Sequence, residues 1–216
     1  MKQVLFLTLF NFSFGLLAQE TVKKTVTSDS PIYKEVYRVL KSNQEIKQGD
    51  YKKTAEFFAV KGQYDDNVKV GIWTFYDKDG KVEQKIDFDS RKVIFSIPFD
   101  ILVKSFILTD NQVSEQKPDE APIFIGGLSA MGQYTRNLRY PKEARNNRIQ
   151  GKVYISATIT KEGKMIDEEI DTGPGFGLNE EGLRVIQQIP DDWIPGTLNG
   201  QNVDVRIWLP ITFQMG

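Results

Sequence analysis

The sequence predicts an α+β chain in two parts. A mainly β N-terminal unit of hairpins comes first, then a C-terminal unit of helices packed on a small antiparallel sheet. Three observations carry this. Short runs rich in Val, Ile, Phe, Tyr and Trp, broken by turn residues, fill residues 32–108. Residues 109–121 are polar and acidic and end at Pro122, the composition of an extended, poorly packed linker. Beyond them the order reads helix, helix, strand, strand, helix, strand. The last of these is the clearest: Val203, Val205, Ile207, Leu209, Ile211 and Phe213 fall on every second position.

The expected division is therefore residues 1–18, 19–108, 109–121 and 122–216. Residues 1–18 have Lys2, an apolar run from Val4 and Ala18 before Gln19, the pattern of a secretory signal cleaved after Ala18. The alternative is a retained anchor, but the run is about 15 residues long against the roughly 20 of a spanning helix. Such a signal predicts that the mature chain is exported.

In the second part, Ile72, Thr74 and Tyr76 alternate with Trp73 and Phe75, and Gly80 suits the left-handed position of the hairpin turn DKDGK. The turn carries a faint echo of a calcium loop in Asp77 and Asp79, but the glycine is misplaced and position 88 is Phe. In the last part, Leu128, Met131, Tyr134 and Leu138 stand at helical spacing, and Pro141 opens a short second helix. Val153, Ile155, Ala157 and Ile159 share one strand face ahead of the turn KEGK. Asn179 is the candidate cap of a third helix with Leu183, Ile186 and Ile189 inward, ended by Pro190. Trp193 reads as a core plug. Trp208 alternates with the apolar series, so it either anchors an interface or lies under a helix.

Pro210 raises a question about the last strand, because proline donates no N–H to a ladder and belongs on an edge or at a bulge. The sequence thus predicts an edge strand whose free backbone groups face outward.

Composition narrows the chemistry. The 216 residues contain no Cys and no His, with net charge −1. Disulfides, thiolate catalysis, His-based triads and the common zinc sites are excluded. No global charge draws the chain to nucleic acid. The pairs Glu168–Glu169, Glu180–Glu181 and Asp191–Asp192 lie on a strand, a helix start and a turn, so the chain is expected to be no enzyme and to need no cofactor or metal. GPGFG reads as a tight loop into a helix. Lys142, Arg145 and Arg148, joined by Arg139 and Lys152, form a basic stripe, either a solvated face or a contact for an acidic partner.

Several spaced motifs together resemble the TonB C-terminal domain, in the version found in envelope proteins of Bacteroidetes-type bacteria. They are Tyr140-Pro141, Ala144, Gly151-Lys152-Val153, Gly163, the Gly-rich loop before Leu178, Trp193, Pro195-Gly196, Gly200 and Leu209-Pro210-Ile211. The resemblance covers about residues 122–214. More weakly, GIWTFYDKDGKVEQKIDF resembles a MORN-like variant repeat. The TonB resemblance implies a role in TonB-dependent transmembrane transport: docking to a Ton-box-like peptide of an outer-membrane transporter, taken up as an added strand. The implied acceptor is Asn202 to Trp208, with Asn202, Asp204, Arg206 and Trp208 toward the peptide. Arg136, Asn137, Leu138, Arg139 and Tyr140 would flank it. The alternative partner is a second copy, in a homodimer through the same strand, which would make the chain a structural envelope adaptor. Even fully extended, the linker spans only about 50 Å, too little for a periplasm-crossing arm. With no histidine to serve an inner-membrane motor, energy transduction is not expected.

Overall fold

The computed structural model describes residues 19–29, 32–98, 104–109 and 112–215. The signal-sequence reading of residues 1–18 lies outside the described residues. Among the described residues, no helix is long and apolar enough to cross a membrane.

The first sheet is an antiparallel meander in chain order: β1 (Thr21–Asp29), β2 (Ile32–Leu40), β3 (Lys47–Ala55), β4 (Phe58–Asp65), β5 (Val68–Asp77), β6 (Val82–Asp87) and β7 (Lys92–Ser96). Local chemistry makes its turns. Between β4 and β5, Asp66 and Asn67 both have positive φ, as a two-residue hairpin with the right twist requires. Between β5 and β6 the Asp77 carboxylate accepts the amides of Asp79 and Lys81, and Gly80 takes φ 81°. The alternation read in β5 is real: Trp73 and Phe75 are buried, while Ile72 is 57% exposed. Tyr51, Val60, Trp73, Phe75 and Ile86 form the core under this sheet, and Ile125 joins it from the second half of the chain.

The second half begins earlier than the linker. After β8 (Ser105–Thr109) and β9 (Gln112–Val113) come β10 (Ile123–Phe124), α1 (Gly127–Arg136), α2 (Lys142–Asn146), β11 (Gly151–Ile159), β12 (Met165–Thr172) and α3 (Leu178–Ile186). Then follow β13 (Trp193–Ile194), β14 (Gly196–Leu198), β15 (Gln201–Val203) and β16 (Val205–Phe213). A five-stranded sheet runs β12-β11-β16-β8-β9, with small pairs β10–β13 and β14–β15 beside it. Its centre is the nine-residue pairing of β11 with β16. Val153, Ile155, Ala157 and Ile159 meet Val205, Ile207, Leu209, Ile211 and Phe213 in one dry cluster, and Trp193 is buried in it.

The chain is mixed and mostly β with antiparallel sheets, but the expected layer of helices on the C-terminal sheet is not what forms. Among the described residues, α3 is the helix laid most extensively against β11 and β12, while α2 is a five-residue helix that contributes Ala144 to the core. The first helix leans on β5 and β6 of the first sheet. Side chains of β6 fix it there. The Glu83 carboxylate accepts the Ser129 amide at 3.0 Å and its hydroxyl at 2.9 Å. Buried Gln84 accepts the Gly126 amide at 2.9 Å and donates to the Phe124 carbonyl at 3.0 Å. Periodicity showed that this helix has a buried side; it could not show which sheet would cover it. Leu128, expected inward, is exposed, while Met131 is buried and Tyr134 and Leu138 pack on the core.

The end of the linker stretch, at Asp119 and Glu120, is tied to the last part of the chain. Thr197 accepts the Asp119 amide and donates its own to Glu120, and Asn199 donates to the Asp119 carboxylate. Asn179 does not cap α3: Gly177, in the left-handed region at φ 81°, holds that place, and the Asn179 amide oxygen accepts Gly175 N–H instead.

Candidate functional site: the flank of the last strand

The alternation of β16 fixes two faces. Its odd residues are buried against β11 and α3; its even residues, Arg206, Trp208, Pro210 and Thr212, occupy the other face. The backbone divides in the same way, because in an antiparallel strand alternate residues present their N–H and C=O to the same neighbour. Trp208 donates its amide to Lys104 at 3.2 Å, and Asp204 accepts from Leu108 at 2.8 Å. The even series therefore points away from β11. Pro210 belongs to it, so its missing N–H costs the β11 ladder nothing.

The proline correctly marks a flank turned away from β11, but the flank is not open where the sequence placed the acceptor. β8 covers it: Val205 pairs with Ile107, Arg206 with Phe106 and Ile207 with Ser105. Asn202 lies in β15, paired with Thr197 of β14, and its side chain donates to the Lys161 carbonyl at 3.2 Å. The Asp204 carboxylate accepts the Lys161 amide at 2.8 Å. The expectation that Asn202 to Trp208 form a free edge is thus corrected, and with it a dimer paired directly through that stretch. Period-2 alternation reports which face is dry and carries no information about the next strand over. Among the described residues, no strand pairs with β16 on this flank beyond Trp208.

The two outward side chains are also engaged. Arg206 is only 9% exposed. Its guanidinium reaches across β11 to β12, donating to Thr158 Oγ1 at 3.2 Å, the Asp167 carbonyl at 2.8 Å, Ser156 Oγ at 2.8 Å and Glu169 at 3.0 Å. Trp208 Nε1 donates to Asp171 at 2.9 Å. The Phe106 ring stands edge-on to the indole at 6.0 Å, and the Lys104 ammonium sits 4.2 Å from the ring centroid. Trp208 is therefore covered, by the neighbouring strand rather than by a helix. Sequence reasoning missed Lys104, Phe106, Glu169 and Asp171. Ser156 and Thr158, two polar residues inside an apolar strand, were the legible signal that β11 supports something on its wet face.

The other half of the expected site lies elsewhere. Arg136 stacks on Phe57, its guanidinium 3.3 Å from the ring centroid. The Asn137 carbonyl accepts from Arg184 at 3.2 Å, and Leu138 packs on the core. Arg139 donates its amide to Glu181 at 2.6 Å, and Tyr140 donates its hydroxyl to the Ile149 carbonyl at 2.5 Å. Tyr140 meets Phe213, at the far end of β16 from Asn202. Asn137 and Arg139 fasten the approach to α2 onto α3, and the structure does not gather the five residues around Asn202–Trp208.

The carboxylate pairs have structural partners: Glu169 with Arg206, Asp192 with Lys69 and Glu181 with Arg184. The Arg184 guanidinium, with help from the Arg139 amide and against partial burial, holds the Glu181 carboxyl below its ordinary value. A carboxylate lowered in this way stabilises the fold above its unfolded value of about 4.3. That contribution is lost as pH falls through the lower folded value. Glu181→Gln is therefore expected to cost about 2 kcal/mol at pH 7. Urea unfolding as a function of pH checks this: the difference from wild type should shrink as the medium is acidified below pH ~4.

With this geometry in view, the comparison with known families is informative. Residues 136–215 match the family model described as Gram-negative bacterial TonB protein C-terminal, so this part of the chain is similar to that domain. A search of curated proteins and a search of solved structures each gave no match. The matched segment contains β11, β12, α3 and β16; β8 lies outside it.

Proposed function

We propose that this chain is an exported, periplasmic TonB-like binding module that takes part in TonB-dependent transmembrane transport. It recognises a Ton-box-like extended peptide of an outer-membrane transporter by adding it as a strand to the C-terminal sheet, and it acts by binding rather than by catalysis. One observation carries the reading. Inside residues 136–215 the sheet is β12-β11-β16, with β16 at its border, and the strand lying against that border, β8, is drawn from outside the domain. The flank thus holds an extended segment foreign to the domain through main-chain bonds, which is what strand addition requires. The export signal read in residues 1–18 supports the location.

The test is retention of a detergent-solubilised TonB-dependent transporter by the immobilised chain, beside the same transporter lacking its Ton-box-like segment. Retention of the first and loss of the second is expected. Equal retention of both, or of neither, removes the reading.

A further inference from the structure

We infer that β8 is a resident ligand of the β16 flank, exchangeable for a peptide supplied by another protein, and that its side chains specify that peptide's pattern. The pattern is a basic residue, any residue, an aromatic, then an aliphatic, as in Lys104, Ser105, Phe106 and Ile107. This rests on the reading that the domain works by strand addition.

The two flanks of β16 are held very differently. Nine residue pairs bind β11 on one side, but three bind β8 on the other. Beyond those pairs, β8 is fixed by the Trp208-to-Lys104 and Leu108-to-Asp204 bonds. Its hydrogen bonds on the far side go to its own hairpin: Ile107 donates to Gln116 and accepts from Ser114. The hairpin can therefore leave as a unit with those bonds intact, and a new strand of the same polarity can replace every bond given up on β16.

Each side chain of β8 fills a place that a ligand would fill. Ile107 is buried opposite Val205, on the core side. Phe106 presents its ring to the Trp208 indole. Lys104 sets its ammonium over the same indole, whose N–H is held by Asp171. Without β8, the amides of Arg206 and Trp208 and a broad aromatic face would be bare, an edge prone to pair with any chain. Carrying a weakly held internal strand protects that edge and raises the threshold for weak partners.

The experiment uses the full chain and a labelled synthetic KSFILT peptide, the sequence of residues 104–109. Phe106→Pro and Leu108→Pro each delete a β8 amide from the ladder and open the flank. A Ser105→Cys/Ile207→Cys variant closes it, since these residues face each other and the chain has no other cysteine. Removal of the internal competitor is expected to tighten peptide binding by about tenfold or more in the proline variants, with rapid exchange of the Trp208 amide. The oxidised double-cysteine form is expected to bind no peptide until reduced. A peptide with alanine for phenylalanine is expected to bind the opened forms about tenfold more weakly.

The inference falls if the oxidised form binds as well as wild type. It falls if opened chains ignore the peptide or pair with each other instead. It also falls if the Trp208 amide stays protected in both proline variants, which would make β8 a permanent strand. Transporter retention separates the two levels. Peptide exchange without transporter retention leaves the resident-strand inference standing and removes the transporter reading; retention that is equal in the oxidised form does the reverse.

Discussion

Gly62→Ala is expected to destabilise the chain by about 3 kcal/mol, a large effect for adding one methyl group. Gly62 lies on β4 opposite Tyr51. A Cβ there would stand 2.2 Å from Trp73 Cδ2 and 2.3 Å from its Cε2. The indole has nowhere to go. Tyr51, Tyr64 and Phe88 surround it with ring centroids at 5.2, 5.1 and 5.6 Å. The Lys69 ammonium lies 5.3 Å from the ring centroid. Accommodating the methyl means prising apart this aromatic cluster, which is the core of the first sheet. Urea unfolding followed by tryptophan fluorescence measures the loss. Trp73→Leu in the same chain should relieve part of it, because the clash is with the ring; a penalty undiminished in the double variant would place the strain in the backbone.

Arg206→Ala should cost a similar amount, about 3 kcal/mol, for a different reason. Its guanidinium ties β16 to both β11 and β12, and its removal leaves two hydroxyls and the Asp167 carbonyl without this donor. The ion pair itself contributes little: the Glu169 side chain is 72% exposed, so Glu169→Ala should change stability by less than about 1 kcal/mol. Arg206→Lys should recover only part of the loss, because a single ammonium cannot reach all the acceptors that the planar fork spans. Chemical denaturation of the three variants distinguishes a sheet staple from a simple surface pair. It also governs how binding data are read, since weaker peptide capture by Arg206→Ala would first reflect a loosened sheet.

Much of the fold was legible because binary patterning is local. The inward series Val153 to Ile159 and Val205 to Phe213, the buried Trp193 and the Gly80 turn all follow from periodicity or turn chemistry within a few residues. What failed was long-range. Nothing in the alternation of β16 announces that Ser105–Thr109, nearly a hundred residues earlier, lies beside it. Nothing in the spacing of α1 announces that Glu83 and Gln84 receive its start. The cap of α3 was misassigned because Asn179 has the right chemistry for a cap but Gly177 has the required conformation. The proposed site was half legible: Pro210 pointed to the flank turned away from β11, and the occupant of that flank was hidden.

The most direct measurement is isotope-filtered NMR of the labelled chain bound to an unlabelled Ton-box-like peptide. Strand addition at the last strand requires intermolecular contacts from the peptide backbone to Arg206 and Trp208, together with loss of the Phe106–Trp208 contact. Peptide contacts confined to the β12 edge, with the β8–β16 pairs undisturbed, would mean that the last strand is not where this domain receives its partner.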